Sequence, residues 1–198
     1  GYITDAKTIQ VPIDTQAPTR PTLTIGETAT DTTVTLQAAA KDETSGVQEY
    51  ILKEATNQVP EQKRSDGAFA LTGLTSDTEY TFTVIAKDNA GNLSEASDAF
   101  VVKTRKKPFA NAVVTLKKAD KIYNGTVQTP DVEVSMNGTA LAADQYVVSY
   151  EQDGTAVAAP TKAGTYKVVV TAGKNSAYEG IASGQPTYTI AKKTITAS

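Results

Sequence analysis

Apolar and polar residues alternate in short runs along most of the chain, the period-two pattern of strands with one buried and one solvated face. The clearest run is Thr78 to Ala86, where Tyr80, Phe82, Val84 and Ala86 share one face and Thr81 and Thr83 the other. In the first half, Thr33-Val34-Thr35-Leu36 alternates in the same way, and Gly46 precedes a run from Val47 to Lys53 with Tyr50 and Leu52 on one side. Ser65-Asp66-Gly67 is a turn before Phe69-Ala70-Leu71, Asp88-Asn89-Ala90-Gly91-Asn92 is a second turn, and Ala99 to Thr104 closes the unit. In the second half, Val132, Val134 and Met136 alternate with Glu133 and Ser135, and Asn137-Gly138 follows, a pair that tolerates the positive φ of tight hairpins. Tyr146 to Tyr150, the Asp153-Gly154 turn, the Tyr166, Val168 and Val170 face after Gly164, and Tyr188-Thr189-Ile190 complete the pattern. Helical periodicity of useful length is almost absent, so the predicted class is all-β, many short strands between turns.

A charged run ending in proline, Arg105-Lys106-Lys107-Pro108, interrupts the alternation near the middle and reads as a linker. With the all-β pattern on either side, it predicts two tandem β-sandwiches, at 17–106 and 107–193. Residues 1–16 read as the tail of an upstream module with its linker, Asp14-Thr15-Gln16-Ala17-Pro18, and 194–198 as the start of the next linker. A unit of about 90 residues buries roughly 60–70% of its unfolded surface, enough for one core between two sheets but not for a deep pocket.

Composition then narrows the chemistry. The 198 residues include no His, no Cys and no Trp. Disulfides, thiolate metal sites and imidazole bases are thereby excluded. The net charge of −3 provides no footprint for nucleic acid. No apolar run reaches the roughly 18 residues of a membrane span, and no stretch reads as a signal peptide.

Leu71-Thr72-Gly73-Leu74 followed by Thr78-Glu79-Tyr80 resembles the region before strand F of fibronectin type III domains. Asp88 to Ser94, Asp42 to Val47 and Asp14 to Pro18 are similar to the turns and leading segment of bacterial members, so the resemblance covers about residues 17–105. It implies a tyrosine corner, with the Tyr80 hydroxyl reaching backbone near Leu74. The family's strand-B Trp is missing, and Val34 and Leu36 are expected to take its volume; no Arg-Gly-Asp occurs. The second half resembles MBG-type bacterial immunoglobulin-like repeats in Lys121 to Thr126, Ala163 to Val168, Tyr178-Glu179-Gly180 and Tyr188 to Lys193. Together these resemblances imply a secreted bacterial cell-surface protein, attached to a Gram-positive wall.

Candidate chemistry is weighed against plainer roles. Asp42, Glu43 and Asp88 can act as acid–base carboxylates, but Asp residues in loops mainly stabilise turns. Calcium near Asp42 and Asp88 stays open: the Asp88 to Asn92 turn offers oxygens without the spacing of a twelve-residue calcium loop, and a sandwich brings the two loops to one end. Tyr80 and Tyr166 are expected in cores; Tyr2 and Tyr178 are the expected exposed rings for glycan stacking. The basic runs at Arg105 to Lys107 and Lys117 to Lys121 read as solvated linker and strand edge. No Asn sits inside a strand where a Lys–Asn bond would form. No catalytic, cofactor-binding or metal-ligating residue is therefore assigned, and the chain is not read as an enzyme. The expected function is a monomeric structural spacer. The alternatives are an adhesin or carbohydrate-binding module, with a host or cell-wall glycan or protein as partner, and an accessory segment of a multidomain glycoside hydrolase. Nucleic acid and membrane insertion are not expected.

Overall fold

The inward row of Tyr80, Phe82, Val84 and Ala86 is the centre of the first of two compact units, which divide between Arg105 and Lys106. A computed structural model describes residues 13–195. The first unit holds β1 (Thr22–Glu27), β2 (Val34–Ala39), β3 (Val47–Glu54), β4 (Gln62–Arg64), β5 (Ala68–Leu71), β6 (Glu79–Asp88) and β7 (Phe100–Lys103). They form two antiparallel sheets, ordered β1-β2-β5 and β4-β3-β6-β7. Val34 and Leu36 of β2 and Phe69 and Leu71 of β5 pack with Tyr50 and Leu52 of β3 and with the β6 row. Val34 and Leu36 thus serve the core, as the missing Trp requires. Phe82 has no exposed surface, and full burial of such a side chain stabilises by roughly 1.5–3 kcal/mol.

The hydroxyls that pack against β6 and the loop before it have partners. The Tyr80 hydroxyl accepts the Thr75 N–H at 2.9 Å, one residue beyond the expected Leu74, and fixes the loop before β6. Beyond β6 the chain doubles back without a regular ladder. Ser94 and Ser97 take over the pairing: their N–H groups donate to the carbonyls of Ala86 and Val84. Their hydroxyls accept the N–H groups of the same two residues at 2.9 and 3.0 Å. Each serine therefore presents a donor and an acceptor to β6 in place of two backbone groups.

The second unit contains β8 (Lys107–Pro108), β9 (Val113–Lys117), β10 (Lys121–Ile122), β11 (Asp131–Met136), β12 (Thr139–Ala140), a 3-10 turn (Ala143–Gln145), β13 (Tyr146–Gln152), β14 (Thr155–Ala156), β15 (Gly164–Ala172), β16 (Tyr178–Glu179) and β17 (Thr187–Ala191). A sheet ordered β10-β17-β15-β13-β14 and another ordered β12-β11-β9 supply its core, and β16 pairs with β8. Tyr166, Val168 and Val170 face inward together with Val134, Met136, Tyr188 and Ile190. Asn137-Gly138 joins β11 to β12 with φ of 49° and 80°, and Asp153-Gly154 joins β13 to β14 with 51° and 78°, both the two-residue turns that match strand twist.

Two expectations change. Arg105 to Pro108 is not a free linker. Arg105 N–H donates to Thr30 O, while the N–H groups of Lys107 and Phe109 donate to Ala177 O and Glu179 O on either side of Pro108, which has none to give. Lys117, the last residue of edge strand β9, and Lys118 just beyond it are exposed as expected of a solvated strand edge, and they pair with Glu133 and Asp131 of neighbouring β11. Tyr178 is half-buried against Phe109 with ring centroids 6.0 Å apart; Tyr123 is the exposed ring, and Tyr2 lies outside the described residues. Strand β1 escaped the sequence pattern because an edge strand with one buried residue carries no alternation.

Tyr80→Phe leaves the Thr75 N–H without its partner, and the expected cost is about 1–3 kcal/mol. Urea unfolding should show a lower midpoint for the first unit with an unchanged slope.

Candidate metal centre

Strand parity continues past the apolar part of β6. Residues 80, 82, 84 and 86 face the core, so residue 88 must as well, and Asp88 has no exposed surface. Its carboxylate closes the row at one end of the sandwich. Asp88 Oδ1 accepts the Asn92 N–H at 2.8 Å and Oδ2 accepts Asn92 Nδ2 at 2.7 Å. The turn between them needs Gly91, whose φ of +99° strains any residue with a Cβ. Burial pushes the Asp88 carboxyl upward, but the bonds from Asn92 and the backbone of the turn together hold it below its ordinary value.

Asp42 comes from the loop between β2 and β3. Its Oδ1 collects the N–H groups of Thr44, Ser45 and Gly46 at 3.0, 2.8 and 2.8 Å. Asn89 ties this loop to the Asp88 turn, donating from Nδ2 to Ser45 O and Gly46 O at 2.8 and 3.1 Å. The two loops thus meet at one end, as the fold requires.

A third acid joins them that the sequence pattern left in a linker. Asn92 Nδ2 also donates to the carbonyls of Asp14 and Gln16 at 3.2 and 3.4 Å, which holds the lead-in segment against the Asp88 turn. Asp14 Oδ1 accepts the Gln16 N–H at 2.9 Å, and Asp14 Oδ2 is buried with no hydrogen-bond partner. One carboxylate oxygen from each of Asp14, Asp42 and Asp88 lies within 4.8 Å of the others. Among the described residues, no lysine or arginine forms an ion pair with any of the three.

Three clustered carboxylates can serve acid–base chemistry or hold a hard cation. Acid–base work on a polymer needs an accessible pair. Asp88 has no surface, and both its oxygens already accept hydrogen bonds, so the geometry suits a cation and not a substrate. Glu54 provides a contrast at the opposite end of β3. It is also buried by parity, but the N–H groups of Thr56 and Gln58 at 3.0 and 2.9 Å and the Thr56 hydroxyl satisfy it, and among the described residues it belongs to no group of three acids.

The other candidate surfaces offer less. A groove of about 470 Å³ in the second unit is lined by Tyr123, Lys162, Ala163, Lys192, Lys193 and Ile195, without an acid. Tyr166 and Tyr188 stack at 5.6 Å inside the core, so the tyrosines form packing and not an exposed glycan platform.

Two antiparallel sheets packed over one core, with a tyrosine corner and loops gathered at the ends, place the first unit among immunoglobulin-like β-sandwiches. Within that class, residues 16–103 match the fibronectin type III domain family. The chain is 40% identical over 102 residues to Chitinase A1 of Niallia circulans, covering 52% of this chain and 14% of that one. It is 38% identical over 131 residues to Exoglucanase A of Cellulomonas fimi, covering 65% and 14%. The chain thus spans about a seventh of these relatives' length. Among solved structures, Chitinase ChiA74 from Bacillus thuringiensis aligns over 93% of this chain and 29% of its own, with 21% identity and a TM-score of 0.41.

Because the folded Asp88 value lies below 3.8, its contribution is fully present above that pH and is lost as pH falls through the folded value. Glu54, where bonds from Gln58 and Thr56 outweigh the upward push of burial, acts in the same direction below 4.5. Urea midpoints of the first unit measured from about pH 6 to pH 2 should be flat at first and then fall. Asp88→Asn should flatten the acid limb; a midpoint that rises on acidification contradicts this account.

Proposed function

We propose that the chain is a non-catalytic accessory segment of a secreted, multidomain bacterial glycoside hydrolase. In this reading the fibronectin type III domain and a following MBG-type immunoglobulin-like repeat space other domains of the parent protein. The observation that carries it is the identity of 38–40% to a chitinase and an exoglucanase, over a stretch that is only 14% of each. A match of that extent is the size of a module. Chitin and cellulose are insoluble polymers, so enzymes named for them act outside the cell, which is why secretion belongs to this reading. Attachment to a cell wall has no supporting observation here, and the accessory role therefore moves ahead of the wall-anchored stalk. For the MBG-type repeat the support is local: Gly164 opens β15, Tyr178-Glu179 forms β16, and Thr187–Ala191 closes the unit as β17.

The spacer role asks little of individual residues. Each unit has its own core, and the exposed Lys63 and Arg64 on edge strand β4 and Lys103 on edge strand β7 discourage pairing with other chains.

The full-length gene should encode a glycoside hydrolase domain on the same polypeptide; a gene encoding none overturns the proposal. The isolated chain should release no reducing sugar from colloidal chitin or swollen cellulose. Deleting it from the parent should lower hydrolysis of the insoluble polymer several-fold and leave soluble oligosaccharide hydrolysis unchanged.

A further inference from the structure

We infer that Asp14, Asp42 and Asp88 bind one Ca²⁺ ion, which fastens the lead-in segment to the loop end of the fibronectin type III sandwich. Calcium takes six to eight oxygen ligands at about 2.3–2.6 Å, so two ligands of one ion stand no more than about 5 Å apart. One oxygen from each of the three carboxylates meets that limit, all lying within 4.8 Å of one another. The donor set is oxygen only, which suits a hard cation and excludes the sulfur and imidazole sites of zinc.

An independent observation points to a ligand. Asp14 Oδ2 is a carboxylate oxygen with less than 1 Å² of surface and no hydrogen-bond partner. A buried charge of this kind is costly unless something of opposite sign meets it. Asp88 is wholly buried, its bonds come only from an uncharged amide and backbone, and among the described residues no cationic side chain pairs with it. A divalent ion among the three meets both buried carboxylates. The protein holds the carboxylates in place and leaves one oxygen of Asp14 and one of Asp42 without a hydrogen bond from the protein. On Asp42 the three backbone N–H groups occupy Oδ1 alone. Asn92 is a positioning residue, gripping Asp88 with one amide and the carbonyls of Asp14 and Gln16 with the same nitrogen.

The consequence is mechanical. The acids come from three segments remote in sequence, and only Asp14 lies outside the strands and connecting loops of the sandwich. An ion shared by all three is a cross-link that removes the conformational freedom of residues 13–17. Calcium would then stiffen the approach to the first unit, a useful property in a spacer working in calcium-rich extracellular fluid. The site stands on its own geometry, whatever catalytic domain the parent carries.

The test is thermal unfolding of the whole chain in millimolar CaCl₂, in MgCl₂ and in EDTA, with hydrogen exchange at Gln16. Binding at a hundredfold excess over Kd should raise the first unit's melting temperature by about 10–20 °C. It should also slow exchange of the Gln16 amide. Asp14→Asn and Asp42→Asn, which keep an oxygen for the backbone N–H groups, should each abolish the calcium shift and leave the melting temperature in EDTA nearly unchanged. Asp88→Asn risks the fold and is not needed. No shift in calcium, an equal shift in magnesium, or a shift that survives in both variants overturns the assignment.

Discussion

Strand parity in β3 and β6 sets two buried carboxylates at opposite ends of the first core. Each strand carries an unbroken inward row, Tyr50 and Leu52 in one and Tyr80 to Ala86 in the other, and each row ends on an acid. Side chains on a strand alternate strictly, so Glu54 and Asp88 cannot turn to solvent without turning the whole row outward. The loops that follow must then solvate them. They do so with backbone N–H groups, the Thr56 hydroxyl and the Asn92 amide. The loop conformations at both ends follow from this demand, and so does the difference between them: Glu54 is satisfied alone, whereas Asp88 draws in two more acids.

Elsewhere the same rule, that buried polar groups must find partners, is met by hydroxyls. Tyr80 anchors the loop before β6, and Ser94 and Ser97 replace a regular strand beside it. In the second unit Tyr166 and Tyr188 donate to the carbonyls of Lys162 and Gln128 at 2.8 and 2.9 Å while their rings stack in the core. Burial and the neighbouring phenols push the Tyr188 hydroxyl far above its ordinary value, so it remains a neutral donor across the physiological range. These tyrosines do the work of ring and anchor together, in a chain that has neither tryptophan nor disulfides.

A sandwich with this economy has little room for catalysis. The interior is filled, and Asp88, the innermost of the clustered acids, has no surface that a substrate could reach. What such a domain presents is a compact body with its own core and two loop ends. The ends are where variation is tolerated, because the core rows already specify the fold. The lead-in segment, held by Asn92 to one of those ends, belongs physically to the domain it precedes.

The sequence alone determined the class of fold and much of its core. Period-two alternation identified the inward faces of β2, β3, β6, β11 and β15, and the Asn-Gly and Asp-Gly pairs located two hairpins, because both signals are local consequences of backbone geometry. It did not reveal β1, whose single buried residue carries no period, nor the backbone bonds that tie Arg105 to Thr30 in the first unit and Lys107 to Ala177 in the second. Asp42 and Asp88 could be brought to one end by topology. The presence of Asp14 beside them, and the burial of its lone oxygen, was decided only by tertiary structure, since contacts between segments far apart in sequence leave no periodic trace in any of them.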